Sequence, residues 1–411
     1  LKILHTGDWH LGQRLGRIDR ASDLRRAVVQ VFDHCDRQRV DLLLIAGDLF
    51  DTVCRPDDVR AAVAHLEEAA RPFLAGGGTI LATTGNHDGE TFCATLQHTL
   101  ALADRDPRRE IGDRLAPGRF HLFTRPALHR LADRDGREVQ FVLMPYPQAA
   151  RYLDDAANVY HGGAEAKNRR LLDAFTAALV GLRNHDRYDP ALPSVLVAHL
   201  HLRGARLPGG HEVTERDDVV CPPENLGEGW AYVALGHVHR PQALGGRSHV
   251  RYCGSIERLD LDERDDLKSV VLVEIGPDGR LGEPVVLPIE STPFLDVVVS
   301  DPAADLPALE AAHGGAIGAL VRCRVAYTPG ADDPDDIHRR IDALFPRCYS
   351  RRVDPAITDA PTGPAATASV AVGGRAVRQV VLDYLNAQLD GQPIAAAVLA
   401  EAERLLDEVA P

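Results

Sequence analysis

The 411 residues carry 46 basic and 60 acidic side chains, a formal net charge of −14, with 45% hydrophobic and 26% charged residues. That balance excludes a disordered chain, and no run approaches the ~20 apolar residues of a membrane-spanning helix. It also opposes a broad nucleic-acid surface, since phosphate binding rests on clustered Lys and Arg, but leaves room for a local basic cleft. Seven scattered cysteines, none in a C-x-x-C pair, read as reduced thiols, not as a disulfide frame or a thiolate zinc site. No basic leader precedes an apolar run, so no secretory signal is expected. The start at Leu1 implies an initiator Met that was trimmed or miscalled. Only Lys2, Lys167 and Lys268 are lysines; the other basic residues are Arg, as in GC-rich bacterial coding.

In chain order, "LKILHTG" predicts a strand. "SDLRRAVVQVFDHCDRQ" predicts a helix capped by Ser22, with Leu24, Val28, Val31, Phe32 and Cys35 at helical spacing. "VDLLLIAGD" is a buried strand and loop, and "PDDVRAAVAHLEEAARPF" a helix opened by Pro56 and two acids. "GGGTILATTGN" is a turn and a third strand; its glycines lack the Lys and Ser/Thr of a phosphate loop. Ala103–Gly118 reads as a solvated surface loop. Further strands are expected at "VQFVLMPYP", "SVLVAH", "WAYVALGH", "HVRYCGS" and "KSVVLVEI", with a long helix over Ala164–His185. Strands alternating with helices argue an α/β layered fold.

From about Pro288, "FLDVVVS", a helix near Asp305–His313, "ALVRCRVAY", a helix near Asp335–Leu344 and "YSRRVD" predict a small βαβαβ unit. "DPAITDAPTGPAATASVAVGG" reads as a linker. Two amphipathic tail helices follow, one carrying Val377, Val381, Tyr384, Leu385 and Leu389, the other Ile394, Val398, Leu399, Leu405, Leu406 and Val409. The expected boundaries are 1–285, 286–353, 354–374 and 375–411.

Ligands in layered α/β proteins gather at the carboxyl ends of strands. The polar residues just past the expected strands are Asp8 and His10 in "GDWH", Asp48 and Asp51 in "GDLFD", and Asn86, His87 and Asp88 in "GNHD". His199 in "VAHLH" and His237 and His239 in "GHVH" complete the set. Each block alone has a plain reading as a solvated loop, a capping acid or a surface histidine. "GHVH" is stronger, because residues i and i+2 at a strand end point the same way. Five such strand ends, four following a glycine, are hard to explain as solvated loops.

Oxygen and imidazole ligands without thiolate suit borderline divalent ions such as Mn²⁺, Fe²⁺ or Zn²⁺. Seven groups match two ions sharing one carboxylate, a device for in-line displacement at phosphorus with metals roughly 3.5–4 Å apart. A neutral Asn ligand keeps such a site positive toward an anionic phosphodiester. His87 adjoins Asn86, so its ring is expected to reach the site from outside the coordination sphere. There it would protonate or orient the leaving oxygen, or bond a phosphoryl oxygen. Asp88 is expected to hold its other nitrogen and favour the charged ring.

D-x-H, G-D-x-x-D, G-N-H-[DE], H and G-H-x-H in this order resemble the calcineurin-like metallophosphoesterases. "ILHTGDWHLGQ", "AGDLFD", "MPYP" and "YCGSIERLDLDE" resemble, within that superfamily, the SbcD family, bacterial relatives of the archaeal and eukaryotic double-strand-break repair nuclease. The resemblance is strong to about Ile275 and extends by layout over the rest. It implies an α/β layered core of two mixed β-sheets flanked by helices, a small α+β cap domain and a C-terminal helical tail. It implies that Asp8, His10 and His239 hold one metal and Asn86, His199 and His237 the other. Asp48 would bridge the two, and His87 would be the catalytic histidine with Asp88 beside it. His199 is taken over His201 because it comes first off the strand, with His201 facing away or outwards.

The resemblance further implies two Mn²⁺ per chain, with Mg²⁺, Fe²⁺ or Zn²⁺ as alternatives. The activity would be that of a DNA exonuclease and single-strand endonuclease acting on ends and hairpins in repair. The partners would be DNA, a second copy of the chain, and an SbcC-type coiled-coil ATPase in a heterotetramer. No membrane is involved, and the place is the cytoplasm, at the nucleoid. Residues 286–353 would face DNA and 375–411 would grip the coiled coil. The competing readings are a metallophosphatase or cyclic-nucleotide phosphodiesterase on small substrates, and a non-catalytic DNA-end scaffold. "DLDERDD" (Asp260–Asp266) reads as a solvated hairpin and "DDPDD" (Asp332–Asp336) as an acidic helix entry. Arg14, Arg17, Arg20, Arg203 and Arg206 are candidates for a local positive surface.

Overall fold

The computed structural model describes the chain except residues 53–54, 103–113, 134, 154–162, 211–212, 314–317, 357–397, 400 and 403–411. All but 354–356 of the expected linker lies outside the described residues, as do the first tail helix, most of the second and most of the charged loop; Asp354 and Pro355, expected in the linker, close the strand Cys348–Pro355 instead. Residues 1–356 and 357–411 form separate units, and the sheets and the site all belong to residues 1–356.

Two sheets face each other. In the first sheet, strands Lys2–Thr6, Leu42–Ala46, Thr79–Thr83 and Phe120–Phe123 run parallel in that order, and Ser269–Gly276 pairs antiparallel with Lys2–Thr6. In the second sheet, Arg247–Tyr252, Tyr232–Gly236, Ser194–His199 and Glu138–Met144 run parallel, with antiparallel Gln242–Leu244 and Ala127–Ala132 at the edges. The continuous apolar runs seen in the sequence follow from burial on both faces. Period-two alternation sends Ile3, Leu42, Leu44 and Ala46 between the sheets, against Phe141, Val195, Val197 and Ala234. It sends Leu4, Leu43 and Ile45 the other way, onto helices Ala21–Gln38 and Pro56–Ala75. Helix Gly163–Arg183 covers the second sheet through Phe175 and Leu179.

Past the core, Phe294–Val299, Leu320–Tyr327 and Cys348–Pro355 form a parallel three-stranded sheet. The connecting helices Pro302–His313 and Pro334–Leu344 bury Leu306, Ile337 and Ile341 against it, giving a βαβαβ unit. Phe294, Leu320 and Tyr349 of this sheet meet Leu15, Ile18 and Leu261 of the core. A charged clasp also ties this small sheet to the core: Arg347 bonds the buried Asp23 carboxylate and the Gly318 carbonyl.

The first helix starts one residue before the Ser22 cap expected from sequence. It opens at Ala21, whose amide bonds the Asp19 carboxylate at 2.8 Å. Arg20, expected on the surface, is fully buried and bonds Asp23 and the Arg258 carbonyl. Its guanidinium is consumed by this network and is not part of a positive surface. Arg14, Arg17 and Arg203 each pair with an acid. The six described cysteines are buried and free.

The sheets come into close contact at the strand end beside Gly236. A Cβ on Gly236 would lie 1.9 Å from the Ala46 carbonyl oxygen and 2.9 Å from His199 Nδ1. Gly236→Ala is therefore expected to cost about 1–3 kcal/mol of unfolding free energy by overpacking, read from urea denaturation of the metal-free protein. An unchanged midpoint would contradict this close approach.

Candidate metal centre

All the expected site residues lie at the carboxyl ends of these strands, His199 as the last residue of its strand and the others in the loops that follow, several with unusual backbone. Five non-glycine residues among those described have positive φ: Asp8 (51°), His10 (46°), Arg39 (53°), Asp48 (50°) and His237 (98°). Arg39 ends a helix; the other four were expected ligands. Left-handed backbone costs an L-residue energy, tolerated where surroundings enforce it and concentrated at functional sites. "GDWH" shows the local reason. Trp9 is buried beside Phe32 and donates to Thr6 Oγ1, so Asp8 and His10 on either side turn toward the second sheet.

Asp48 sits at the middle. One of its oxygens, Oδ2, is 3.5 Å from His10 Nε2 and 3.3 Å from His199 Nε2; the other accepts the His87 amide at 2.7 Å. Burial opposes its ionisation, but His199 and His10 hold the carboxyl well below the usual range. On one side, ligand atoms of Asp8, His10 and His239 lie within 4.8 Å of one another. On the other, His199 Nε2 and His237 Nδ1 converge on Asn86 Oδ1 at 3.0 and 2.9 Å. Gly85 permits this crowding, since a Cβ there would lie 2.1 Å from Asp48 Oδ1.

Three of the four imidazoles are held by an acceptor on the other nitrogen. His199 Nδ1 bonds the Ala46 carbonyl at 2.7 Å, His237 Nε2 the Asp218 carboxylate at 2.5 Å, and His239 Nδ1 the Glu263 carboxylate at 2.8 Å. Asp51 lies 3.5 Å from His10 Nδ1. Such partners fix the tautomer and ring orientation of metal-ligating histidines. Asp218 and Glu263 are each held at a pKa of about 2: burial opposes this, and His237 and His239 outweigh it. Tyr146, from "MPYP", donates to Asp218 at 2.5 Å.

The donor set fits divalent cations. Asp8 Oδ2 and both ring nitrogens of His10 are buried without a hydrogen-bond partner. An orphaned carboxylate oxygen and imidazole are costly unless a cation meets them. All the groups are oxygen or imidazole, as borderline ions require.

His87 and Asp88 depart from expectation. The His87 ring lies 4.6 Å from that of His10, centre to centre, and its Nδ1 is buried without a partner. Asp88 does not hold it. The Asp88 carboxylate turns the other way and accepts the amides of Gly85 (2.8 Å), Phe50 (2.9 Å) and Leu49 (3.2 Å). It ties the "GNHD" loop to the "GDLFD" loop. Burial, then His10, lowers the His87 pKa, so the ring is neutral where a charged one was expected. His201 does not face outwards either: it is buried, its ring 6.3 Å from that of His237.

Sequence reasoning missed several residues. Arg151 is buried and bonds the carbonyls of Gly85 and Asp88, clamping the "GNHD" loop from behind. Asp218 lies in a stretch without a motif. Glu263 belongs to the stretch read as a solvated hairpin, yet it is 2% exposed. "DLDERDD" forms a short 3₁₀ turn, Leu261–Glu263, capped by Asp260.

Residues 1–241 match the calcineurin-like phosphoesterase family. The SbcD component of the SbcCD nuclease of Escherichia coli (strain K12) is 30% identical over 322 residues, covering 74% of this chain and 70% of that protein. That of Rhodobacter capsulatus is 30% identical over 291 residues, covering 67% and 66%. The DNA double-strand break repair protein Mre11 of Aeropyrum pernix is 28% identical over 310 residues, covering 73% and 64%. A metal-fitting centre at the strand ends of two mixed sheets is what a metallophosphoesterase needs, and the chain belongs to the calcineurin-like phosphoesterase family. Its branch of that family is that of the SbcD-type nucleases.

Without an ion, His199 is pushed up to about 9; burial opposes the charge, but Asp48 beside it prevails. The ring therefore holds its proton between pH 6.5 and about 9 and must lose it to ligate. Mn²⁺ binding at pH 7 is expected to release protons, seen as a calorimetric enthalpy that varies with the buffer's ionisation enthalpy. Apparent affinity should rise with pH across that window. Buffer-independent enthalpy together with flat affinity would exclude His199 as a ligand.

Proposed function

We propose that this chain is the Mn²⁺-dependent nuclease subunit of an SbcCD-type complex, cutting DNA as an exonuclease and single-strand endonuclease at ends and hairpins. The observation that supports it best is the meeting of Asp8, His10, Asn86, His199, His237 and His239 around Asp48. In this reading Asp8, His10 and His239 hold one ion, Asn86, His199 and His237 the other, and Asp48 both. When bound, the ions supply an activated water and neutralise the phosphodiester's charge.

The protein's own groups then position the substrate and hydrogen-bond to it. The His87 backbone amide fixes that residue against Asp48, and its neutral ring lies beside His10. A neutral imidazole keeps one N–H. His87 thus donates a hydrogen bond to a phosphoryl oxygen or to the departing 3′ oxygen, without giving up its proton. Asp88 and Arg151 keep its loop in place.

Residues 286–353 serve as the DNA-facing cap. Residues 354–374 act as a tether, and 375–411 grip the coiled coil of an SbcC-type ATPase. Two copies join through helices near the active face, within a heterotetramer in the cytoplasm at the nucleoid.

Chelation with EDTA should abolish DNA cleavage and Mn²⁺ restore it. His87→Ala should bind both ions as the wild type does, yet lose roughly 10²–10⁴-fold in cleavage rate. Full activity in that variant would remove His87 from the chemistry. Rapid hydrolysis of small phosphate esters with intact DNA would replace the nuclease by a phosphatase. DNA binding without metal-dependent cutting would replace it by a scaffold.

A further inference from the structure

Lysine is used three times among the 46 basic residues, and one of the three, Lys268, is buried just before strand Ser269–Gly276. In a chain that places arginine almost everywhere else, an interior lysine marks a spot a guanidinium does not serve. The contacts give the reason. An ammonium carries three donors, and three acceptors surround this one: the His239 carbonyl at 3.0 Å, Ser255 Oγ at 2.8 Å and Glu263 Oε2 at 2.6 Å. The planar five-donor fork of arginine is larger and would leave donors unpaired in this buried position.

These contacts lead to the metal centre. The other oxygen of Glu263 bonds His239 Nδ1 at 2.8 Å. Lys268 therefore grips His239 twice, by its carbonyl and, through Glu263, by its ring. The "CGSIERLDLDE" stretch builds the rest of the bracket. Gly254, at φ +78°, passes so near the His239 carbonyl that a Cβ would lie 2.7 Å from it. Ser255 Oγ also lies 3.2 Å from Glu263 Oε2, and the Leu259 amide donates to that oxygen. The opposite histidine is held differently: behind His237 stand Asp218 and the neutral Tyr146.

We propose that Lys268 is a positioning residue for one half of the metal centre. Through Glu263 and the His239 carbonyl it holds His239 with Nε2 toward Asp8 and His10. It thereby sets the affinity of the ion those three groups take, and leaves the ion at Asn86, His199 and His237 unaffected. The inference rests on the two-ion reading of the site.

The test is Mn²⁺ calorimetry on the full-length metal-free protein, with unfolding midpoints in EDTA measured alongside. The wild type is expected to bind two ions. Lys268→Met is expected to keep one at wild-type affinity and to bind the other roughly 10–100-fold more weakly, the usual effect of losing a ligand's outer partner. Lys268→Arg retains the charge but not the geometry, and should not rescue the lost affinity. Glu263→Gln removes the link to the ring; it should reproduce the same one-ion defect and decides alone if the lysine variants do not fold. A purely structural lysine would lower the midpoint and leave both affinities unchanged in every folded variant, which overturns the proposal. Equal weakening of both ions also overturns it. A wild type that binds fewer than two ions removes the two-ion reading, and this inference with it.

Discussion

Asp48 is a carboxylate almost wholly removed from water at the end of an apolar strand. Desolvating such a charge costs several kcal/mol unless positive or hydrogen-bonding groups meet it. Here His10, His199 and the His87 amide do so, and they come from the ends of three different strands on two different sheets. Packing the sheets and assembling the site are therefore one event. His199 reaches across to the Ala46 carbonyl, and the His237 amide bonds Asp8 Oδ1. Glycine at positions 85 and 236 lets the loops close to that distance. The left-handed backbone of Asp8, His10, Asp48 and His237 is the strain that this convergence sustains.

Around the centre, His199, His237 and His239 each have an outward anchor on the second ring nitrogen, and the anchors differ in kind. His199 uses a backbone carbonyl of the first sheet, so its orientation is as rigid as the sheet packing itself. His237 and His239 use buried acids, each with its own partner: Tyr146 behind Asp218, Lys268 behind Glu263. The acid that looked best suited to catalysis, Asp88, instead joins two ligand loops through backbone amides. Burial and His10 leave His87 neutral, one ring nitrogen unpartnered, at the edge of the cluster.

Much of this was legible from local pattern. Apolar runs ending in Gly-Asp, Gly-Asn and Gly-His placed strands and their polar ends together, because side-chain alternation and strand-end loops are local properties. The βαβαβ unit after Pro288 was legible for the same reason, from alternating and helical periods over short windows. Of what failed, the first miss was local and the other two were not. Ser22 looked like a cap, but Asp19 supplies the bond. Arg20 looked exposed in a charged segment, but Asp23 and the Arg258 carbonyl, the latter 238 residues away, bury it. Glu263 looked solvated among acids, yet Lys268 and His239 draw it inside.

By itself, the sequence determined which groups can bind a cation and in what order along the chain they appear, since residue type and strand period are written in it directly. Only the tertiary structure decided which nitrogen of each histidine faces inward, which acids stand behind them, and that Asp88 braces loops while His87 stays neutral. Those outcomes depend on close contacts between segments as much as 229 residues apart, as in the 2.8 Å His237–Asp8 bond. Burial then multiplies the electrostatic worth of each such contact, and no local pattern encodes it.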